Sequence, residues 1–185
     1  RMQLALDSMP RDDPTRAAVK EVLNEAGWNF EQYICSKSGA DAITVKRNMD
    51  ATCKIWQPDS WGSGSLVSVR FGGKPIPCVL TNNHVLPNRA RASTAYAYFE
   101  CAERPGKMQK IRFCPHIYFK TSHKNDLDFT LVALDSRHGF VSGREPRHYL
   151  KMLDNQPVTQ GATLTIVHHP RGGTKKLSSG PVAML

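Results

Sequence analysis

The chain has 185 residues and 40% hydrophobic content, enough for one domain with a packed core and too much for a disordered polymer. No apolar run approaches the ~20 residues of a membrane span, and the first residues, RMQLALDSMPRDD, have no apolar stretch of the kind that heads a signal peptide. The net charge of +9 favours acidic partners by long-range attraction. No block of like charge and no aromatic interleaving accompanies it, so surface solubility is the simpler reading, and nucleic acid stays open as a partner on charge alone.

Residues 13–26, DPTRAAVKEVLNEA, predict a helix. Asp13 is a good N-cap, Pro14 fits the first helical position, and Val19, Val22, Leu23 and Ala26 recur at helical spacing before Gly27. WNFEQYICSKSG, residues 28–39, extends this as a second short helix.

From about residue 50 the texture changes to short β-rich runs: ATCKIW, GSLVSVRF, IPCVLTN, TAYAYFEC, QKIRFCP and DFTLVAL. Turn clusters separate them, among them QPDSWGSG, GGKP and AERPGK. Six short strands at this spacing suggest an antiparallel barrel or sandwich. REPRHYLKMLD, residues 144–154, reads as a connecting helix or turn, and strand texture resumes at ATLTIVHH and KKLSSGPVAML. The expected layout is a helical N-terminal extension (1–50), a first β-unit (51–140), a connector (141–157) and the opening strands of a second, incomplete unit (158–185).

The five cysteines, Cys35, Cys53, Cys78, Cys101 and Cys114, are odd in number and form no Cys-x-x-Cys, which argues against a zinc knuckle. With no signal peptide seen, they read as reduced, mostly buried thiols of an intracellular protein.

The chemistry centres on VLTNNHVL, residues 79–86, where a strand-like run ends at His84. A histidine acting as general base needs a carboxylate on its other ring nitrogen. Asp128, at the head of the apolar run Phe129–Leu134, is the favoured candidate, and Asp126, on the turn side of Leu127, is its competitor. Asn82 and Asn83 can both bond local backbone.

These segments resemble a known family. VLTNNHVL is similar to the histidine motif of trypsin-like serine peptidases, above all the disulfide-poor HtrA branch, and DLDFTLVAL resembles their aspartate motif. WGSGSLVSV (61–69) resembles the Gly-x-Gly strand that opens the first barrel, and TIVHHPRGGTKKLSSGPV (165–182) the early hairpin of the second. The resemblance covers residues 51–185 and implies a mainly β, chymotrypsin-like double β-barrel, the first barrel plus the start of the second. It implies a serine endopeptidase acting on protein or peptide substrates, with His84 and Asp128 catalytic and no metal or cofactor.

Two departures stand out. No Gly-x-Ser-Gly turn occurs, and Ser178 and Ser179 in LSSGPV read as ordinary strand residues, so the nucleophile is expected beyond residue 185 and the fragment alone is expected to be inactive. Val85 follows His84 where secreted trypsins have a cysteine, in keeping with a reducing compartment. The rival reading is a non-catalytic pseudopeptidase that binds protein segments. His168 and His169 are adjacent on a strand and face opposite ways, which argues against a shared metal. RGGTKK reads as a solvated hairpin tip. Nothing in the pattern speaks to oligomeric state.

Overall fold

The computed structural model describes residues 39–100, 108–135, 149–151 and 159–181. The chain divides into two compact units, 1–42 and 43–185, and the strands among the described residues belong to the second. The helices expected over 13–26 and 28–39 lie outside the described residues.

Helix α1 (Gly39–Ala51) runs directly into β1 (Thr52–Trp56). The Thr52 hydroxyl donates to the Asn48 carbonyl at 2.9 Å, which satisfies a last-turn acceptor as the backbone straightens. There follow β2 (Trp61–Phe71), β3 (Lys74–Thr81), α2 (Arg89–Thr94), β4 (Tyr96–Glu100), β5 (Met108–Arg112), β6 (Phe119–Ser122) and β7 (Phe129–Ala133). They form one antiparallel sheet in the order β5-β4-β1-β2-β3-β7-β6. Just past β5 the chain turns back onto the end of β7. Phe113 bridges Leu134, Cys114 N donates to Ala133 O at 2.7 Å, and Asp135 N donates to Arg112 O at 2.9 Å. The edge strand β5 thereby finds a partner on β7, and the sheet curls around a core.

Strand alternation fills that core. Ile55, Leu66, Val79, Phe99, Ile111, Phe113, Val132 and Leu134 are all essentially inaccessible to solvent. Each such side chain contributes roughly 1.5–3 kcal/mol by leaving water. In β2 the neighbours Leu66 and Val67 are both buried although they face opposite ways. Val67 packs outside the curl with Cys78, Cys114 and Ala133, under Leu150. Leu150 N donates to Leu66 O at 2.9 Å and pairs in parallel with Val67. The described part of the 144–154 segment, Tyr149–Lys151, is therefore extended rather than helical.

A separate hairpin, β8 (Thr163–His168) and β9 (Lys176–Pro181), pairs from Thr163↔Pro181 to His168↔Lys176. A short 3-10 turn, Pro170–Gly172, sits at its tip. His169 N donates to the Ser63 hydroxyl at 2.8 Å, and Lys54 Nζ donates to Gly172 O at 3.2 Å. Lys175 Nζ donates to Met49 O at 2.6 Å and lies 3.4 Å from a Glu100 carboxylate oxygen, its side chain only 3% exposed. Gly172 has φ +71°, and a Cβ there would stand 2.4 Å from Trp61 Cγ, so both conformation and space demand glycine. These contacts hold the hairpin tip against β1, β2 and the end of α1. Among the described residues, no helix is long and apolar enough to cross a membrane.

Candidate active site

Beyond β3 the chain makes a tight turn: Val85 N and Leu86 N both donate to Asn82 O at 3.1 Å. The turn is held from below. Leu86 is fully buried, its carbonyl accepts from the buried Thr130 hydroxyl at 2.8 Å, and the Val85 carbonyl accepts from Gln57 Nε2 at 2.7 Å. Gly62 and Gly64 of β2 make room for it. A Cβ on Gly62 would meet Val85 Cγ1 at 2.4 Å, and one on Gly64 would meet Val79 Cγ1 at 2.5 Å. The Gly-x-Gly of WGSGSLVSV thus reflects close approach of neighbouring chain, not a turn. His84 is thrown outward, its side chain 58% exposed.

Between β6 and β7 the chain doubles back over 123–128. Asp126 N and Asp128 N both donate to His123 O, at 2.9 and 3.1 Å. Asp128 takes φ +44°, left-handed backbone that Asp tolerates better than most residues. From there its carboxylate reaches His84 twice: Oδ1 accepts from His84 N at 3.1 Å, and Oδ2 lies 2.7 Å from His84 Nδ1. Asn82 Nδ2 adds bonds at 3.2 Å to Asp128 Oδ2 and to the Asp128 carbonyl. Partial desolvation pushes the Asp128 pKa up, but the His84 amide and ring and the Asn82 amide outweigh it, and the net shift is downward. The carboxylate is ionised near neutral pH and can only accept. The proton on the contact must then sit on Nδ1, which leaves the Nε2 lone pair free to act as a base.

The structure therefore brings together His84 and Asp128. The competitor Asp126 stays in its own loop, where it accepts from the Ser122 hydroxyl at 2.6 Å. Ser178 Oγ lies 2.8 Å from His168 Nε2, and Ser179 Oγ lies 2.8 Å from Thr165 Oγ1, both within the β8–β9 hairpin. His168 ends β8 and His169 lies just beyond it, so the two do not share the expected strand; His169 is buried, with Nδ1 3.1 Å from Gly173 O. No cluster of metal-ligating side chains occurs among the described residues. His84 and Asp128 line a cleft of about 600 Å³, with Trp61, Asn82, Ile166 and His168 among its other walls. Leu127 lines the same cleft and is 72% exposed. The role of Asn82 was not legible in the sequence, because Asn82 and Asn83 look interchangeable there. Asn83 is buried and donates to Thr121 Oγ1 at 2.8 Å, a structural task.

The family model described as lysyl endopeptidase, C-terminal domain, matches residues 23–185. The uncharacterized protein y4fB of Sinorhizobium fredii is 26% identical over 196 aligned residues, which cover 93% of this chain and 28% of that protein. This chain thus matches little more than a quarter of that relative's length. A crystal structure of Rv3671c from M. tuberculosis H37Rv, a mutant in an inactive form, superposes with a TM-score of 0.47 at 16% identity, over 74% of this chain and 52% of that one.

Proposed function

The chain belongs to the lysyl endopeptidase C-terminal domain family and has a mainly β, chymotrypsin-like fold, and from that membership we propose that it is the His-Asp half of a serine endopeptidase active site. The observation that supports this most is the 2.7 Å contact between His84 Nδ1 and Asp128 Oδ2 on the wall of an open cleft. His84 Nε2 removes the proton from a serine hydroxyl, and the oxygen attacks the peptide carbonyl of a bound protein segment. Asp128 stabilises the imidazolium that forms, and His84 then returns the proton to the leaving amine. The nucleophile is carried by residues beyond 185, for two reasons. The 185 residues contain no Gly-x-Ser-Gly, and Ser178 and Ser179 are engaged across their own hairpin.

In this reading residues 51–140 are the first barrel, the β8–β9 hairpin opens the second, and the cleft between them takes the substrate. Val85 in place of a cysteine after His84 supports a place beside the disulfide-poor HtrA-like peptidases and an intracellular setting.

The test uses protein expressed from the complete reading frame and a panel of peptide bonds that includes lysyl bonds, since the family's name specifies them. Asp128→Asn should lower kcat about 10⁴-fold, because an amide there favours the wrong histidine tautomer. Turnover unchanged in Asp128→Asn would refute the assignment. A complete protein that cleaves nothing but still binds peptides would favour a pseudopeptidase.

A further inference from the structure

Asn82 stands one residue before Asn83 and two before His84, at the end of β3. Its side chain is exposed, so it adds little to the core. Its main-chain carbonyl already closes the His84 turn by accepting from Val85 N and Leu86 N. Its side-chain amide has two N–H bonds to give. Both go to one residue 46 positions away: Nδ2 lies 3.2 Å from Asp128 O and 3.2 Å from Asp128 Oδ2.

That bridge matters because Asp128 is in an uncomfortable conformation. It is one of two non-glycine residues with positive φ among the described residues. Such backbone persists where its surroundings hold it. The Asp128 amide is held by His123 O at 3.1 Å, on the loop side. Its carbonyl and its carboxylate are held together, from the opposite strand, by Asn82. The carboxylate cannot swing away from the ring of His84 without breaking a bond to Asn82. Oδ2 thus has two donors, His84 Nδ1 and Asn82 Nδ2, while Oδ1 is fixed by His84 N.

We infer that Asn82 is a positioning residue: by bridging the carbonyl and carboxylate of Asp128 it aims Oδ2 at His84 Nδ1. The inference rests on the proposed general-base role of His84 for its catalytic consequence, but not for its geometry. Asn83, with a buried amide directed at Thr121 Oγ1, has no such part.

The test has two arms. In the first, the 185-residue chain is labelled for carboxyl and imidazole NMR. Asn82→Ala and the nearly isosteric Asn82→Asp are compared with wild type. The Asp128 titration should move upward in both, further in Asn82→Asp, where a second carboxylate faces the first. The His84 Nδ1–H signal should broaden through faster solvent exchange, while core amide protection stays as in wild type. Asn82→Asp keeps the shape of the side chain and serves if Asn82→Ala fails to fold. In the second arm, on protein from the complete reading frame, Asn82→Ala should lower kcat ten- to hundredfold, about the effect of one hydrogen bond to an ionised group, with KM unchanged.

An Asp128 titration and a kcat both equal to wild type would overturn the inference and leave the endopeptidase reading standing. A shifted titration with unchanged kcat would overturn the positioning role in catalysis. A shifted titration in a protein with no peptidase activity would uphold the geometric claim and refute the endopeptidase reading.

Discussion

Replacing Gly62 by alanine puts a methyl carbon 2.4 Å from Val85 Cγ1 and 2.9 Å from Val85 Cγ2. Carbon atoms rest at about 3.5–4.0 Å, so the nearer contact is about 1 Å too close. Val85 has little freedom to retreat. It is β-branched and stiff about χ1, its amide is bonded to Asn82 O, and its carbonyl is held by Gln57 Nε2. Overpacking of this kind costs roughly 1–3 kcal/mol, which for a chain of this length lowers Tm by roughly 2–12 °C. Urea unfolding followed by far-UV circular dichroism should show a lower midpoint at constant slope. Val85→Ala in the same chain removes the clashing methyls and should recover about 1 kcal/mol or more of the Gly62→Ala loss in a double-mutant cycle. Gly180→Ala is the control. A Cβ there has nothing within 4 Å and φ is not positive, so stability should hold or rise slightly. A Gly62→Ala protein as stable as wild type, or a loss that Val85→Ala does not relieve, would refute the claim that β2 glycines make room for the His84 turn.

Three further outcomes follow from the structure. His169 is buried with Nε2 lacking a partner among the described residues, and burial holds its pKa below the usual imidazole value despite the Gly173 carbonyl. The unfolded chain therefore gains a proton near pH 6.5 that the native state refuses; stability should fall as pH drops from about 7 toward 5, and His169→Phe should flatten that limb in urea titrations. Asp128 has its pKa held below the ordinary 3.8, so the stability it adds is complete above that value and lost as pH falls through the lower native value; the gap between wild type and Asp128→Asn should close in that acid range. Cys78 is inaccessible and its thiol is pushed up to about 12 by burial, so the peptide containing it should resist iodoacetamide at pH 8 until the protein is unfolded.

Where the sequence was legible, a local pattern and a burial pattern coincided. ATCKIW, IPCVLTN and DFTLVAL are β-rich runs, and each is a strand; the last two bury side chains on both faces, Val79 and Val132 inside the curl and Cys78 and Ala133 outside it. β6 was missed because Phe119–Ser122, FKTS, has one exposed lysine and little apolar alternation; it is a strand because β7 pairs with it. Trp61–Gly64 reads as a turn on composition, and the glycines are there instead because Val85 and Val79 press on the strand. The extended Tyr149–Lys151 was hidden because its reason lies in β2, some 80 residues earlier in sequence, where Leu66 offers a carbonyl. At the site, the residue types of His84 and Asp128 could be read from their motifs. The left-handed backbone of Asp128 and the different tasks of Asn82 and Asn83 could not, since both depend on contacts across some 40 residues.

The central claim is that His84, oriented by Asp128, activates a serine that these 185 residues do not contain. Fluorophosphonate labelling tests it most directly, with the protein from the complete reading frame run beside its His84→Ala variant and the 185-residue chain. Labelling of the complete protein alone, abolished in His84→Ala, is the predicted result. Labelling of the 185-residue chain, or equal labelling of the His84→Ala variant, would contradict it.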